Sequence, residues 1–157
     1  MEITDEKYQK VKNNAFNHFL KNKKIVSPIF WEIKVSEKAF NHIEYKNSKH
    51  KRSKQESFIR YLCFLNIDYI IKNSHLYQDF NEEYKQVTIK KKKWKIKENR
   101  LVKFYGLISI VNNDKQRVKI VLKKVDGFQK YEYVSVIPVW KITENWPQLY
   151  LDSESDF

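Results

Sequence analysis

The sequence predicts an α+β domain, with N-terminal helices packed on one face of a curved antiparallel four-stranded sheet. Three observations carry this. Apolar residues recur at helical spacing as far as Asn73, they recur at strand spacing from Val87 onward, and 15% aromatic with 41% hydrophobic residues supplies a core despite the heavy charge. A chain of 157 residues suits one domain, and 2 Gly and 3 Pro leave little material for flexible linkers or Gly-rich phosphate loops. The expected layout is one basic domain over 1–143, with a helix in 1–24, a strand-helix-helix unit in 25–73 and the sheet in 87–143. An acidic tail, 144–157, follows.

Residues 4–22 read as an amphipathic helix with Thr4 as N-cap, Asp5 and Glu6 in the first turn, and the stripe Tyr8, Val11, Ala15, Phe16, Phe19 and Leu20. His18 falls at the edge of that stripe as a boundary residue. After the turn at Pro28, Trp31, Ile33 and Val35 alternate with Phe30, Glu32 and Lys34, the pattern of a half-buried strand. Ser36 caps a short helix through about Tyr45, whose buried face is Ala39, Phe40 and Ile43 with His42 beside it. The stretch KNSKHKRS, 46–53, has no apolar member and reads as an exposed loop. A longer helix from Ser53 or Lys54 to about Asn73 carries Phe58, Tyr61, Leu62, Leu65, Tyr69 and Ile70.

Residues 74–86 read as a polar connector bearing aromatics. In VTIKKKKWKIK the apolar pairs Val87/Ile89 and Trp94/Ile96 have opposite parity, so a bulge or hairpin turn near 91–93 is expected. RLVKFYGLISIV is nearly continuous in apolar character, as in a central strand. The turns NNDKQ and DGF then separate RVKIVLKKV from the last strand, KYEYVSVIPVWKI.

The formal net charge is +12, and all 31 Lys and Arg precede Glu144, while Glu144, Asp152, Glu154 and Asp156 make the tail acidic. Such a field favours polyanions, with RNA the first expected partner and DNA the second. A cationic face docking an acidic protein, and a Lys-rich surface serving only solubility, are the other readings of the same charge. Cys63, the single cysteine, lies in an apolar helical run, so a reducing compartment is expected. No signal pattern and no bilayer-length apolar run is present, which points to a cytoplasmic protein with no membrane partner.

The four histidines lack metal-ligand spacing, no Walker or GxSxG motif occurs, and the acids are scattered, so no metal or cofactor is expected. Metal-free chemistry on a polyanion has a natural substrate in RNA, which carries its own nucleophile, the 2′-hydroxyl. The protein then needs only a general base, a general acid and cations beside the phosphate. The run of lysines at Lys90 to Lys93 suits a solvated strand edge. With Trp94 alongside, Lys90 and Lys92 also suit a clamp on a phosphate backbone, the ring stacking on a base.

WEIKVSEKAFNHIEYKN, a basic stretch and then ESFIRYLCFLNIDYIIKN resemble the start of the phage-associated barnase-EndoU-colicin-RelE-like ribonuclease families, in which a strand leads into a helix bearing an HI pair. The likeness spans residues 30–140 or so. It implies a second helix, a four-stranded antiparallel sheet and a metal-independent endoribonuclease of toxin or phage-conflict type, with an antitoxin as a possible acidic partner. On this likeness His42 is the general base or acid, and Ser135 in YEYVSVIPVW is the final-strand hydroxyl, sharing a face with Tyr131 and Tyr133 by alternation. Lys119 is the phosphate-stabilising cation. Arg52 and His50 stand where the families carry a basic group, without the usual RH spacing, and Arg60 is the alternative. A non-catalytic nucleic-acid-binding phage regulator or inhibitor remains the rival to the enzyme. His50 and His75 read as bystanders.

Overall fold

The structure, a computed structural model, describes residues 2–111 and 116–140. The expected NNDKQ turn and acidic tail lie outside the described residues. The first helix, α1 (Asp5–Lys21), starts where Thr4 leaves extended backbone and its hydroxyl accepts the Lys7 N–H at 3.2 Å. It buries Ala15 and Phe19, while Phe16 and Leu20, expected in the same stripe, stay well exposed. His18 sits at the boundary as read, its Nε2 3.0 Å from Asp68.

The next segment is a hairpin, where one strand was expected: β1 (Lys24–Ser27) and β2 (Trp31–Lys34) pair antiparallel, with Ile25 opposite Ile33. The Ser27 hydroxyl holds the turn by accepting the Ile29 and Phe30 N–H groups, each at 3.1 Å. Trp31 takes a left-handed backbone, φ 61°, and this resets the alternation: Phe30, Ile33 and Val35 are buried, while Trp31 is 80% exposed. That conformation strains a bulky side chain. Trp31→Asn, which tolerates it and sacrifices little packing, is expected to raise stability by about 0.5–1 kcal/mol, read as a higher urea midpoint at unchanged slope.

The helix α2 (Glu37–Asn41) is capped by Ser36, which accepts the Ala39 N–H at 3.1 Å. It ends earlier than expected because Ile43 and Glu44 close tight turns onto Phe40 and Asn41. The stretch read as a plain loop is a small hairpin, β3 (Tyr45–Asn47) with β4 (His50–Lys51), whose turn is held by the Asn47 side-chain Oδ1 accepting the Lys49 N–H at 2.9 Å.

The expected long helix is two, α3 (Lys54–Phe64), capped by Ser53, and α4 (Ile67–Asn73). The core residues Phe58, Tyr61, Phe64, Ile67 and Ile70 recur every third position. Each such step falls about 60° short of a full turn, so one straight helix would rotate its stripe off the sheet. The break at Leu65–Asn66 returns it to the core. Cys63 is buried at this break, where burial pushes its thiol up to about 12, and its Sγ accepts Gln116 Nε2 at 3.1 Å.

Four long strands complete the described residues: β5 (Asp79–Lys91), β6 (Trp94–Val111), β7 (Gln116–Val125) and β8 (Tyr131–Trp140). Most of the expected connector, 79–86, is therefore strand. The turn expected at 91–93 is a tight one between Lys91 and Trp94, and DGF turns through Gly127 at φ 85°. The predicted meander of four antiparallel strands is present, but it is part of a mixed six-stranded sheet in the order β1-β2-β8-β7-β6-β5. The N-terminal hairpin joins it through β2, parallel to β8 at Ile33–Tyr131 and Lys34–Glu132.

The helices cover one face, where Phe64, Ile67, Ile70 and Ile71 meet Ile25, Ile33, Leu107, Ile120 and Leu122. The other face carries a second cluster, Val102, Phe104, Val121, Val125 and Ile137, with Val87, Phe128 and Val134 packed against it. Burying that many apolar residues without a helix over them requires the sheet to curl on itself. No helix among the described residues is long and apolar enough to cross a membrane.

Candidate functional site

A cleft of about 660 Å³ opens over this second cluster, between it and the short helix α2. One wall is the α2 region, with Ser36, Lys38, Ala39, His42 and Lys46; the facing wall is β5, with Lys85, Gln86, Val87 and Thr88. Val102, Phe104, Val125 and Phe128 form an apolar floor, and Lys123 and Glu132 add charge from β7 and β8. Among the described residues, four lysines thus face one carboxylate. Lys123 lies 3.6 Å from Glu132, and the Lys85 ammonium sits 4.9 Å over the Phe104 ring while reaching Glu83 at 2.9 Å. A concave surface of one dominant sign concentrates anions.

His42 is held in this wall by its neighbours on both sides. It is the C-cap of α2: its N–H donates to Ala39 at 3.2 Å, and its carbonyl accepts Arg52 Nε at 3.4 Å. Phe40 and Ile43 bury on either side, Phe40 stacking on Phe19 at 5.1 Å between centroids. Glu44 anchors the following turn. Its Oε1 accepts the Tyr8 hydroxyl, the Tyr61 hydroxyl and the Lys12 ammonium, each at 2.8 Å. Burial alone would raise the Glu44 carboxyl, but the bonds from Lys12, Tyr61 and Tyr8 outweigh it and hold the carboxyl below its ordinary value. Both tyrosines are pushed up, first by burial and then by the carboxylate they face.

Two of the expected substrate-binding arginines serve this scaffold. The Arg52 side chain is fully buried, its Nη1 3.0 Å from Glu56 Oε1, and its N–H donates to the Glu44 carbonyl at 2.7 Å. Arg60 donates from Nη1 to the Val136 carbonyl at 2.9 Å and lies 3.7 Å from the same Glu56 oxygen. Two guanidinium groups sharing one carboxylate tie the small hairpin, α3 and β8 together. Neither arginine lines the cleft.

His42, Lys119 and Ser135 do not meet in this cleft. Lys119 is buried, with Nζ 2.7 Å from Asp79 Oδ2. It crosses above Gly106, where an added Cβ would come within 2.8 Å of both Lys119 Cε and Asp79 Cβ. Ser135 is buried opposite Val121, and its hydroxyl has no hydrogen-bond partner among the described residues. The expected sharing of a face with Tyr131 and Tyr133 is overturned by a β-bulge. The register shifts between Val121–Ser135 and Leu122–Tyr133, so Val134 is the extra residue and Tyr133 turns to the helix side. There its ring packs against Phe64 at 5.8 Å, and Tyr131 packs on Phe30 at 4.7 Å.

Lys90, Lys92 and Trp94 are exposed at the tip of the β5–β6 hairpin, and His50 and His75 are exposed elsewhere. Sequence reasoning missed Lys85, Lys123 and Glu132. Lys123 and Lys119 have the same parity in β7, so alternation alone does not separate the lysine that lines the cleft beside Glu132 from the one buried against Asp79. Among the described residues no three His, Cys, Asp or Glu side chains gather as a metal site. No family model, curated protein or solved structure matches this chain.

Proposed function

We propose that the protein is a metal-independent endoribonuclease of toxin or phage-conflict type, acting in the cleft beside His42. One observation carries the reading: the helix end that bears His42 is braced on both sides and opens into a concave surface with Lys38, Lys46, Lys85 and Lys123 against Glu132, the one carboxylate among the described lining residues. In the proposed reaction a base takes the proton of the RNA 2′-hydroxyl and the oxygen attacks the adjacent phosphorus. The P–O5′ bond breaks, an acid protonates the leaving 5′-oxygen, and the products are a 2′,3′-cyclic phosphate and a 5′-hydroxyl. His42 and Glu132 divide the two proton transfers. Lys85 and Lys123 offset the negative charge that builds on the phosphorane oxygens. The apolar floor suits the face of a base.

The test is incubation of the purified protein with RNA and with DNA of matching sequence, in excess EDTA. Cleavage of RNA alone, leaving cyclic-phosphate ends, is expected. Salt-sensitive binding without cleavage would assign the protein to the rival class, a non-catalytic nucleic-acid-binding regulator or inhibitor. No salt-sensitive binding at all would remove both and favour an acidic protein partner.

A further inference from the structure

β5 and β6 pair without interruption from Asp79–Gly106 to Lys91–Trp94, but β7 accompanies β6 only from Val102 onward. Among the described residues, the pairs from Tyr84–Leu101 to Lys91–Trp94 are therefore a two-stranded ribbon with no third strand. At about 3.3 Å per residue it is roughly 25 Å long, its inner half, 85–88, lining the cleft and its outer half running past it. Its outer part carries six lysines, at 90–93, 95 and 97, and its single acid, Glu98, is committed to Arg100 at 2.8 Å. Trp94 stands 63% exposed at the tip.

Such a ribbon is costly in isolation. Two strands alone are marginally stable in water, and here Lys90 lies directly opposite Lys95, a like-charge pair that weakens the ladder. A polyanion relieves that repulsion. The ribbon is also continuous with the cleft, because Lys85, Gln86, Val87 and Thr88 at its base form the wall facing His42. A strand leaving the cleft along that wall meets the outer lysines next.

We propose that this ribbon is a distal clamp for single-stranded RNA, its lysines gripping phosphates several nucleotides from the scissile bond while Trp94 stacks on an unpaired base. The direction of the strand rests on the cleft reading; the binding itself does not. At the stacked-strand spacing, the ribbon spans about seven phosphates. Affinity is then a function of RNA length.

The experiment uses the full chain and fluorescence anisotropy with 2′-O-methyl RNA, which cannot be cleaved, at about 4 and about 16 nucleotides. The wild type should bind the longer strand far more tightly. The variant carrying Lys90→Gln, Lys91→Gln, Lys92→Gln and Lys93→Gln should lose most of that gain, roughly 10- to 100-fold, with the log–log salt slope reduced by about 2–3. Trp94→Ala should weaken long-strand binding by about 5-fold or more. An unchanged thermal unfolding profile shows that each variant is folded. Equal long-strand affinity and salt slope in wild type and the four-lysine variant would overturn the proposal, as would ribbon-dependent binding to phosphatidylserine vesicles with RNA binding unaffected. Ribbon-dependent RNA binding without cleavage of unmodified RNA would overturn the nuclease reading and leave the clamp standing.

Discussion

His42→Ala is expected to reduce RNA cleavage by two orders of magnitude or more while RNA affinity stays within about 3-fold of wild type. Two bonds that hold residue 42 in the cleft wall run through its backbone, to Ala39 and from Arg52, and alanine keeps both. Phe40 and Ile43 continue to pin the segment. What alanine removes is the imidazole, and with it one of two proton-transfer groups. Binding is carried by the lysines, which are untouched. The pH–rate profile gives a second readout, since the variant should lose one limb of the bell and keep the other. Cleavage by His42→Ala at the wild-type rate would sink the nuclease mechanism in this cleft.

The helix caps were legible in the sequence because capping is local. Thr4, Ser36 and Ser53 each accept a main-chain N–H within their own first turn, so a short window contains all the physics. The strand order of the meander was legible for a similar reason, since alternation and turn residues report on neighbours in sequence. The parallel contact of β2 with β8 was not, because nothing near residue 33 refers to residue 131. Ser135 shows how little is needed to mislead: one bulged residue, Val134, inverts every side chain after it. Arg52 misled differently. Its sequence neighbours are solvated cations, but its carboxylate partner, Glu56, sits one helical turn ahead and allows it to be buried. The position of His42 at the end of a short helix was legible because the Ser36 cap is local. Lys85, Lys123 and Glu132 come to it only through the curl of a sheet whose strands lie far apart in sequence.

Removing the carboxylate that anchors this helix end gives the second large effect. Glu44→Ala is expected to destabilise the fold by roughly 3 kcal/mol, because the nearly buried Tyr61 hydroxyl and the half-buried Tyr8 hydroxyl lose their shared acceptor at once. Lys12 is 38% exposed on its side chain and regains water, so it contributes less to the loss. Glu44→Gln keeps the shape and an acceptor oxygen but not the charge, and should fall between the two. The dependence on pH separates charge from shape. The folded-state carboxyl is held below its ordinary value of 4.5, so its stabilisation is present above that pH and is lost as pH falls through the lower folded-state value. Urea unfolding of wild type and Glu44→Gln should therefore differ most near neutral pH, and the gap should close in the acid range below about 4.5. Comparing the two proteins cancels the other carboxylates, including Asp5 and Glu32, which their lysine partners also hold low. A gap independent of pH would show that the charge of Glu44 contributes nothing. If the anchor also positions His42, Glu44→Gln should lower the cleavage rate at saturating RNA at pH 7, with binding unchanged and the fold still cooperative.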